Sequence, residues 1–191
     1  MIYAVLMASG YSKRMGNNKL LLKYKEKSII EHVMHMLKMS KVDEVIVVAR
    51  DEGVKKIGKD NFCIVLHNHD AKEGISASIK IGCDYGKFAD GILFVPGDQP
   101  LLTVDTINKL IDAFYGFKDK IIVPCYEDVE GSPVIFPNKY FDKLMKLKGD
   151  MGGRKVIEEN IQDKINVMIK NKLEHLDVDT MKDYKKLARI E

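Results

Sequence analysis

Apolar runs of strand length alternate along the chain with stretches in which apolar residues return every three or four positions. That alternation predicts an α/β fold built on a mainly parallel sheet. Candidate strands are Ile2–Met7, Glu44–Ala49, Cys63–His67, Gly91–Val95, Ile121–Pro124, Val134–Phe136 and Ile165–Ile169. The best of them are almost continuously apolar, as central strands covered on both faces are. After the first, a helix is expected from Ser28, where Ser28-x-x-Glu31 forms a capping box and Ile30, Val33, Met34 and Leu37 recur at helical spacing. A second follows Thr103, with Ile107, Leu110, Ile111 and Phe114 as its buried stripe. A third is expected over Asn138 to Leu147, and a last one near Thr180 with Asp183 in its first turn. In such a sheet ligands bind beyond the carboxyl ends of the strands, where the strand order reverses.

Composition leaves that picture intact and excludes several classes. The 191 residues suit one compact domain, 1–191, with a sizeable core, and no repeat, low-complexity tract or long linker divides them. No apolar run approaches the roughly 20 residues of a membrane helix. The N-terminal run lacks preceding basic residues and stops at Gly10, unlike a signal peptide, so a cytoplasmic location is expected. Cys63, Cys83 and Cys125 are odd in number, far apart and without a CxxC pair, which predicts reduced thiols. A net charge of +3 is too small to point to nucleic acid or an anionic membrane.

The position of the cations says more than their number. Lys13, Arg14 and Lys19 crowd the segment Ala8 to Lys19, directly after the first strand. Gly10 and Gly16 let backbone amides converge on phosphate oxygens, and three cations can neutralise a triphosphate and its leaving pyrophosphate. A solvated basic loop is the plainer alternative. The spacing is neither a P-loop nor GxGxxG. Gly97-Asp98-Gln99-Pro100 closes the strand Gly91–Val95, which suits Asp98 to a Mg²⁺ ion between phosphates, although the same residues favour a simple turn. Asp177 and Asp179 alternate onto one side of an extended segment, either to cap the next helix or to share a cation. Glu73 to Ser78 reads as a loop entering a helix whose N-terminus could take an anion, or as N-capping by Ser76. Lys148, Asp150 and Arg154 read as an ion pair at a helix start. His67 and His69 at a strand end read as solvated side chains rather than a metal site.

Taken together, these segments resemble a known family. Ala8 to Lys19 is similar to the LAAGxSxRMGxxK signature of the nucleotidyltransferases that activate molybdenum cofactor. Glu73 to Ser78, Gly97 to Pro100, Gly131-Ser132-Pro133, Gly149 to Arg154 and Asp177 to Thr180 match in order, nearly end to end, and closest to the cytidylyltransferase branch. The resemblance implies a three-layer α/β/α Rossmann-like nucleotidyltransferase fold with a mostly parallel central sheet. It also implies transfer of a nucleotidyl group, CMP favoured, from a nucleoside triphosphate to the phosphate of a molybdopterin-type cofactor, for use by a molybdenum hydroxylase. Ala8, Ser9, Gly10, Ser12, Lys13, Arg14 and Lys19 are then nucleotide-binding, and Arg14, Lys19 and Asp98 catalytic. Asp98 and Asp179 hold Mg²⁺, while Ser76, Ser78, Asp150 and Arg154 face the acceptor.

Four positions depart from the family pattern, among them His69, which stands where the family commonly has proline. Ser9 stands where cytidylyl members carry alanine and guanylyl relatives carry glycine; its small size favours CTP, and its hydroxyl could alter the base contact. Ser132 stands where relatives often have histidine or asparagine, and Met181 where they usually have proline. Two rival readings share these residues. One is a transferase of the same fold acting on a sugar or alditol phosphate, and the other a non-catalytic nucleotide-binding chaperone.

Overall fold

The structure is a computed structural model that describes residues 1–12, 15–16 and 18–190. In chain order the strands are β1 (Ile2–Ala8), β2 (Lys23–Tyr24), β3 (Lys27–Ser28), β4 (Glu44–Ala49), β5 (Ile64–His67), β6 (Gly91–Pro96), β7 (Ile121–Tyr126), β8 (Val129–Glu130), β9 (Val134–Pro137) and β10 (Lys164–Ile169). The helices are α1 (Ile29–Lys38), α2 (Glu52–Asp60), α3 (Ile75–Tyr85), α4 (Val104–Gly116), α5 (Phe141–Leu144), α6 (Arg154–Glu158) and α7 (Met181–Leu187). Apart from the β2–β3 hairpin, the strands form one sheet in the order β10-β7-β9-β6-β1-β4-β5, with β8 paired to β7.

β1 runs parallel to β4 and β6, β4 to β5, and β7 to β10; β9 is antiparallel to both its neighbours. The mostly parallel α/β architecture expected from the apolar runs is therefore present. Chain progression moves outward from β1 through β4 to β5, then returns to the other side of β1 at β6. The order reverses between β1 and β6, and a crevice opens beyond their carboxyl ends.

Each central strand feeds two cores by alternation of its side chains. On one face Leu6, Val47 and Val95 pack with Ile30 and Leu37 of α1 and Ile107, Leu110 and Phe114 of α4. On the other, Val5, Ile46, Val48, Ile92 and Phe94 pack with Ile79 and Cys83 of α3, and with Phe136, Leu144 and Val156. Buried Phe114, Phe136 and a row of Ile and Leu side chains supply the apolar burial that holds the layers together.

The helix starts follow their local chemistry. Glu31 accepts from the Ser28 amide at 2.7 Å and from its hydroxyl at 2.6 Å, closing the expected box on α1. Thr103 caps α4 by accepting from the Thr106 amide at 3.2 Å, and buried Glu174 accepts from the Thr103 amide at 3.1 Å.

Several elements differ from the expected ones. α2 is absent from the sequence pattern because only Val54 and Gly58 of its nine residues are buried, too few to make an apolar stripe. Strand β7 runs on to Tyr126, because β10 pairs with it along its length. The helix expected over Asn138–Leu147 is a 3₁₀ turn, Asn138–Tyr140, followed by the single turn of α5.

Gly82 of α3 marks how closely that helix approaches the sheet. A Cβ there would lie 2.8 and 2.9 Å from the two Val5 methyls of β1. Gly82→Ala is expected to destabilise the fold by about 1–3 kcal/mol, as overpacking does. A denaturation midpoint equal to wild type would show that α3 can withdraw freely.

Candidate functional site

A cleft of about 720 Å³ lies at the reversal point, lined by residues from the carboxyl ends of β1 and β6 and from the loops that follow. Backbone bonds fix its floor. The Gly97 amide donates to the Met7 carbonyl at 3.2 Å, tying the end of β6 to β1. The Val178 amide donates to the Asp98 carbonyl at 3.0 Å, which brings a segment from the far end of the chain beside the β6 loop.

Lys19 sits at the centre. Asn18 starts its 3₁₀ turn by accepting from the Leu20 amide at 3.1 Å, and buried Leu20 anchors it. The Lys19 amide donates to Ser12 Oγ at 3.1 Å, so the turn also closes the loop after β1. The Lys19 ammonium donates to Asp98 Oδ2 at 2.5 Å and to Asp179 Oδ1 at 2.7 Å. Its side chain is 13% exposed, that of Asp98 18% and that of Asp179 43%. Burial on its own lowers the Lys19 pKa; the two carboxylates outweigh that and leave it above the ordinary lysine value.

Asp98 and Asp179 thus present one oxygen each to a single cationic point, although 81 positions separate them in sequence. Two carboxylate oxygens converging on an ammonium form a donor set that also suits a hard divalent cation. Among the described residues no group of three or more His, Cys, Asp or Glu side chains could hold a metal. A cation here would draw its remaining ligands from phosphates and water.

The acidic segment before α7 divides its labour. Thr180 and Asp183 form the capping box of α7: Asp183 Oδ2 accepts from the Thr180 amide at 2.9 Å and Thr180 Oγ1 from the Asp183 amide at 3.3 Å. Asp177 and Asp179 are therefore not spent on capping. Val178 between them enters the core. Asp177 Oδ1 instead accepts from the buried Gln99 amide at 2.8 Å, and Gln99 donates also to Ser132 Oγ at 3.1 Å. Burial, then the Asp98 charge, push the Asp177 carboxyl up, partly opposed by Gln99.

The other expected residues fall into three groups. Gly10, Ser12, Ser78 and Asp150 line the cleft with Ser9. The Ser9 hydroxyl donates to the Val48 carbonyl at 3.0 Å, so its proton serves the sheet rather than a base. Ser78 Oγ accepts from the Asn68 amide at 3.1 Å. Ala8, Ser76 and Arg154 are not among the residues that line the cleft. Ala8 packs in the core. Ser76 is buried in the first turn of α3, whose N-cap position is Gly74 and not Ser76. Arg154, 89% exposed, donates to Glu158 at 3.0 Å rather than pairing at the helix start with Asp150. Lys13 and Arg14 lie outside the described residues.

Tyr11 and Gly74, which fall inside the segments named from the sequence but were given no role of their own, also line the cleft, as does Lys72, an ordinary loop residue outside those segments. His67 Nδ1 lies 2.8 Å from the Lys55 ammonium and its ring packs edge-on to His69. The pair stands at the end of β5, outside the cleft.

A family model described as the MobA-like NTP transferase domain matches residues 4–165. The purine catabolism protein PucB of Bacillus subtilis is 28% identical over 200 residues, spanning 98% of this chain and 96% of that protein. A probable molybdenum cofactor guanylyltransferase of Aquifex aeolicus is 25% identical over 188 residues, spanning 97% and 90%. Among solved structures, Rv0371c of Mycobacterium tuberculosis superposes with a TM-score of 0.87 at 26% identity, covering 99% of this chain and 97% of that one. A structure of that protein in complex with manganese gives 0.85 at 24%, covering 100% and 99%. No helix among the described residues is long and apolar enough to cross a membrane.

Gly74 holds the acidic wall of the cleft in place. It has φ +90°, and a Cβ there would lie 2.4 Å from Asp150 Oδ1 and 2.6 Å from the Gly149 carbonyl. The Ser76 amide bonds that same carbonyl at 3.2 Å. Gly74→Ala combines backbone strain with a clash, and is expected to cost at least about 1 kcal/mol. An unchanged denaturation midpoint would mean that the 149–150 turn yields without resistance.

Proposed function

The chain belongs to the MobA-like NTP transferase family, and we propose that its cleft transfers a nucleotidyl group, CMP favoured, from a nucleoside triphosphate to the phosphate of a molybdopterin-type cofactor. The observation that carries the reading is the meeting of Lys19, Asp98 and Asp179 at the reversal point of the sheet. A site built only to hold a nucleotide has no need of two carboxylates beside the phosphates, which speaks against the chaperone alternative. The name borne by the Aquifex relative, a probable molybdenum cofactor guanylyltransferase, supports the acceptor class while leaving GMP as the rival to CMP.

In the reaction a terminal phosphate oxygen of the acceptor attacks the α-phosphorus and pyrophosphate leaves. The nucleophile is already anionic, so the protein needs no strong general base and contributes positioning and charge. Asp98 and Asp179 would hold a divalent cation, Mg²⁺ in this reading, which when bound neutralises charge on the phosphates. The manganese bound by Rv0371c supports a divalent ion in that role. Lys19 is held within reach of the same phosphates, and on nucleotide binding exchanges carboxylate partners for phosphate oxygens of the leaving group. Lys13 and Arg14 are assigned to the triphosphate from their motif alone. Gly10, Ser9 and Ser12 present the loop backbone to the nucleotide. Ser78 and Asp150, which line the same cleft, are assigned to the acceptor. Ser76 and Arg154 stay assigned to the acceptor by motif.

One observation favours a second acceptor class. Arg154, the cation expected to meet the pterin phosphate, is paired to Glu158 on the surface. The pterin reading thereby loses one of its motif contacts, and the sugar or alditol phosphate class stays in the test.

The test incubates the protein with Mg²⁺, each of the four nucleoside triphosphates in turn, and either molybdopterin cofactor or a panel of sugar and alditol phosphates. Pyrophosphate release with CTP and the pterin acceptor is expected. Release only with a sugar phosphate transfers the reading to the second class, preference for GTP reassigns the base, and silence with every pair sinks the enzyme. In the same assay Asp98→Asn is expected to lose on the order of a hundredfold or more in rate, with an unaltered circular dichroism spectrum. A near-normal rate would place the metal elsewhere.

A further inference from the structure

Among the described residues two cations line the cleft, Lys19 and Lys72. Lys19 is held by Asp98 and Asp179, whereas the exposed Lys72 makes no ion pair with any described carboxylate. The main chain under Lys72 is nonetheless fixed. It belongs to the 3₁₀ turn Ala71–Glu73, in which the Glu73 amide donates to the Asp70 carbonyl at 2.8 Å and the Gly74 amide to the Ala71 carbonyl at 3.2 Å. Buried Ala71 anchors the turn, and buried Asn68 secures the chain just before it. The Asn68 backbone amide donates to the Ala49 carbonyl at 3.0 Å, and its side-chain amide donates to Ser78 Oγ at 3.1 Å. Its side-chain oxygen accepts from the Asp70 amide at 3.1 Å. A flexible cation on a rigid mount is therefore presented to the cleft.

The neighbours of Lys72 give that cation a task. Gly74 brings the Gly149–Asp150 turn against the start of α3, so Asp150 and Ser78 line the cleft together with the Lys72 turn. An acceptor phosphate arriving there meets the Asp150 carboxylate, and two anions repel unless a cation lies near. The motif assigned that cation to Arg154, which the structure places on the surface with Glu158. In-line displacement adds a direction. The entering oxygen approaches the α-phosphorus from the side away from the leaving pyrophosphate. Lys19, beside Asp98 and Asp179, marks the pyrophosphate side, so the entering phosphate calls for a separate cation.

We propose that Lys72 receives the terminal phosphate of the acceptor, a phosphomonoester dianion, and holds it for attack on the α-phosphorus; this rests on the nucleotidyl-transfer reading above. An ammonium carries three donors on a flexible four-carbon stem and takes phosphate as a point charge. It grips the phosphate common to a pterin and a sugar acceptor without reading the rest of either molecule. The body of the acceptor is left to the adjoining surface, where the exposed Ile75 side chain offers apolar contact beside Ser78 and Asp150. Lys72 also offsets the Asp150 charge, which lets this part of the cleft accept a dianion.

The test is steady-state pyrophosphate release by wild type, Lys72→Met and Lys72→Arg, with Mg²⁺ and the preferred nucleoside triphosphate. Acceptor is varied at saturating nucleotide, then nucleotide at saturating acceptor, with molybdopterin and glucose 1-phosphate run separately as acceptors. Lys72→Met is expected to raise the acceptor KM roughly 10- to 100-fold, the worth of one charge-assisted hydrogen bond, and to leave the nucleotide KM within about threefold. Lys72→Arg keeps the charge and should recover most of that loss. KM does not depend on the fraction of enzyme folded, so a destabilised variant still reports. An unchanged acceptor KM in Lys72→Met, or a nucleotide KM that rises as far as the acceptor KM, overturns the assignment. If wild type releases no pyrophosphate with any pair, the transferase reading fails, and equilibrium binding of the two acceptors decides Lys72 by itself. Binding of either acceptor weakened roughly tenfold or more in Lys72→Met keeps Lys72 as a phosphate-binding residue. Equal binding by the two proteins, or none by wild type, overturns it.

Discussion

The ammonium of Lys19 between the carboxylates of Asp98 and Asp179 is the contact on which the cleft depends. Two aspartates held this close repel each other unless a cation lies between them. Lys19 supplies that charge. Each of the three side chains is delivered by a different stretch of chain: the turn after β1, the turn after β6 and the segment before α7. The site therefore exists only when the whole sheet is assembled.

Main-chain hydrogen bonds turn that assembly into a fixed geometry. Gly97 bonded to Met7 locks the β6 turn onto β1, and Val178 bonded to Asp98 locks the C-terminal segment onto the β6 turn. Glu174 secures the same segment from the other side through the start of α4. Side chains mounted on such a frame lose little freedom when a ligand arrives, which is the condition for positioning to aid a reaction between two anions. The opposite wall is built in the same manner, since Gly74 lets the Gly149–Asp150 turn approach the start of α3.

The acidic residues show how one composition can serve several ends. Asp183 is spent on a helix cap, Asp177 on Gln99 inside the protein, and Asp179 on the cleft. Their neighbours decide the difference: Val178 enters the core, so the residues flanking it face the polar side, where one finds a buried amide and the other an ammonium.

Much of this was written in the linear pattern. The continuous apolar runs determined a parallel sheet with two covered faces, because a strand exposed on one side would alternate. Ser28 with Glu31 determined where α1 begins, and the glycines and cations after β1 marked a candidate phosphate loop. Membership of the MobA-like family was legible because its motifs follow in order along nearly the whole chain, two of them directly after β1 and β6 and the others at helix starts and turns. The tertiary structure alone decided what depends on distant partners. α2 buries too few residues to show a stripe, and α5 stops after one turn. Arg154 turns to Glu158 because a neighbour one helical turn away is nearer than any cleft. Ser9 gives its hydroxyl to Val48, a residue of the adjoining strand. Arg50 and Tyr11 are 39 positions apart and unremarkable in sequence; only the pairing of β1 with β4 sets the Arg50 guanidinium against the Tyr11 ring.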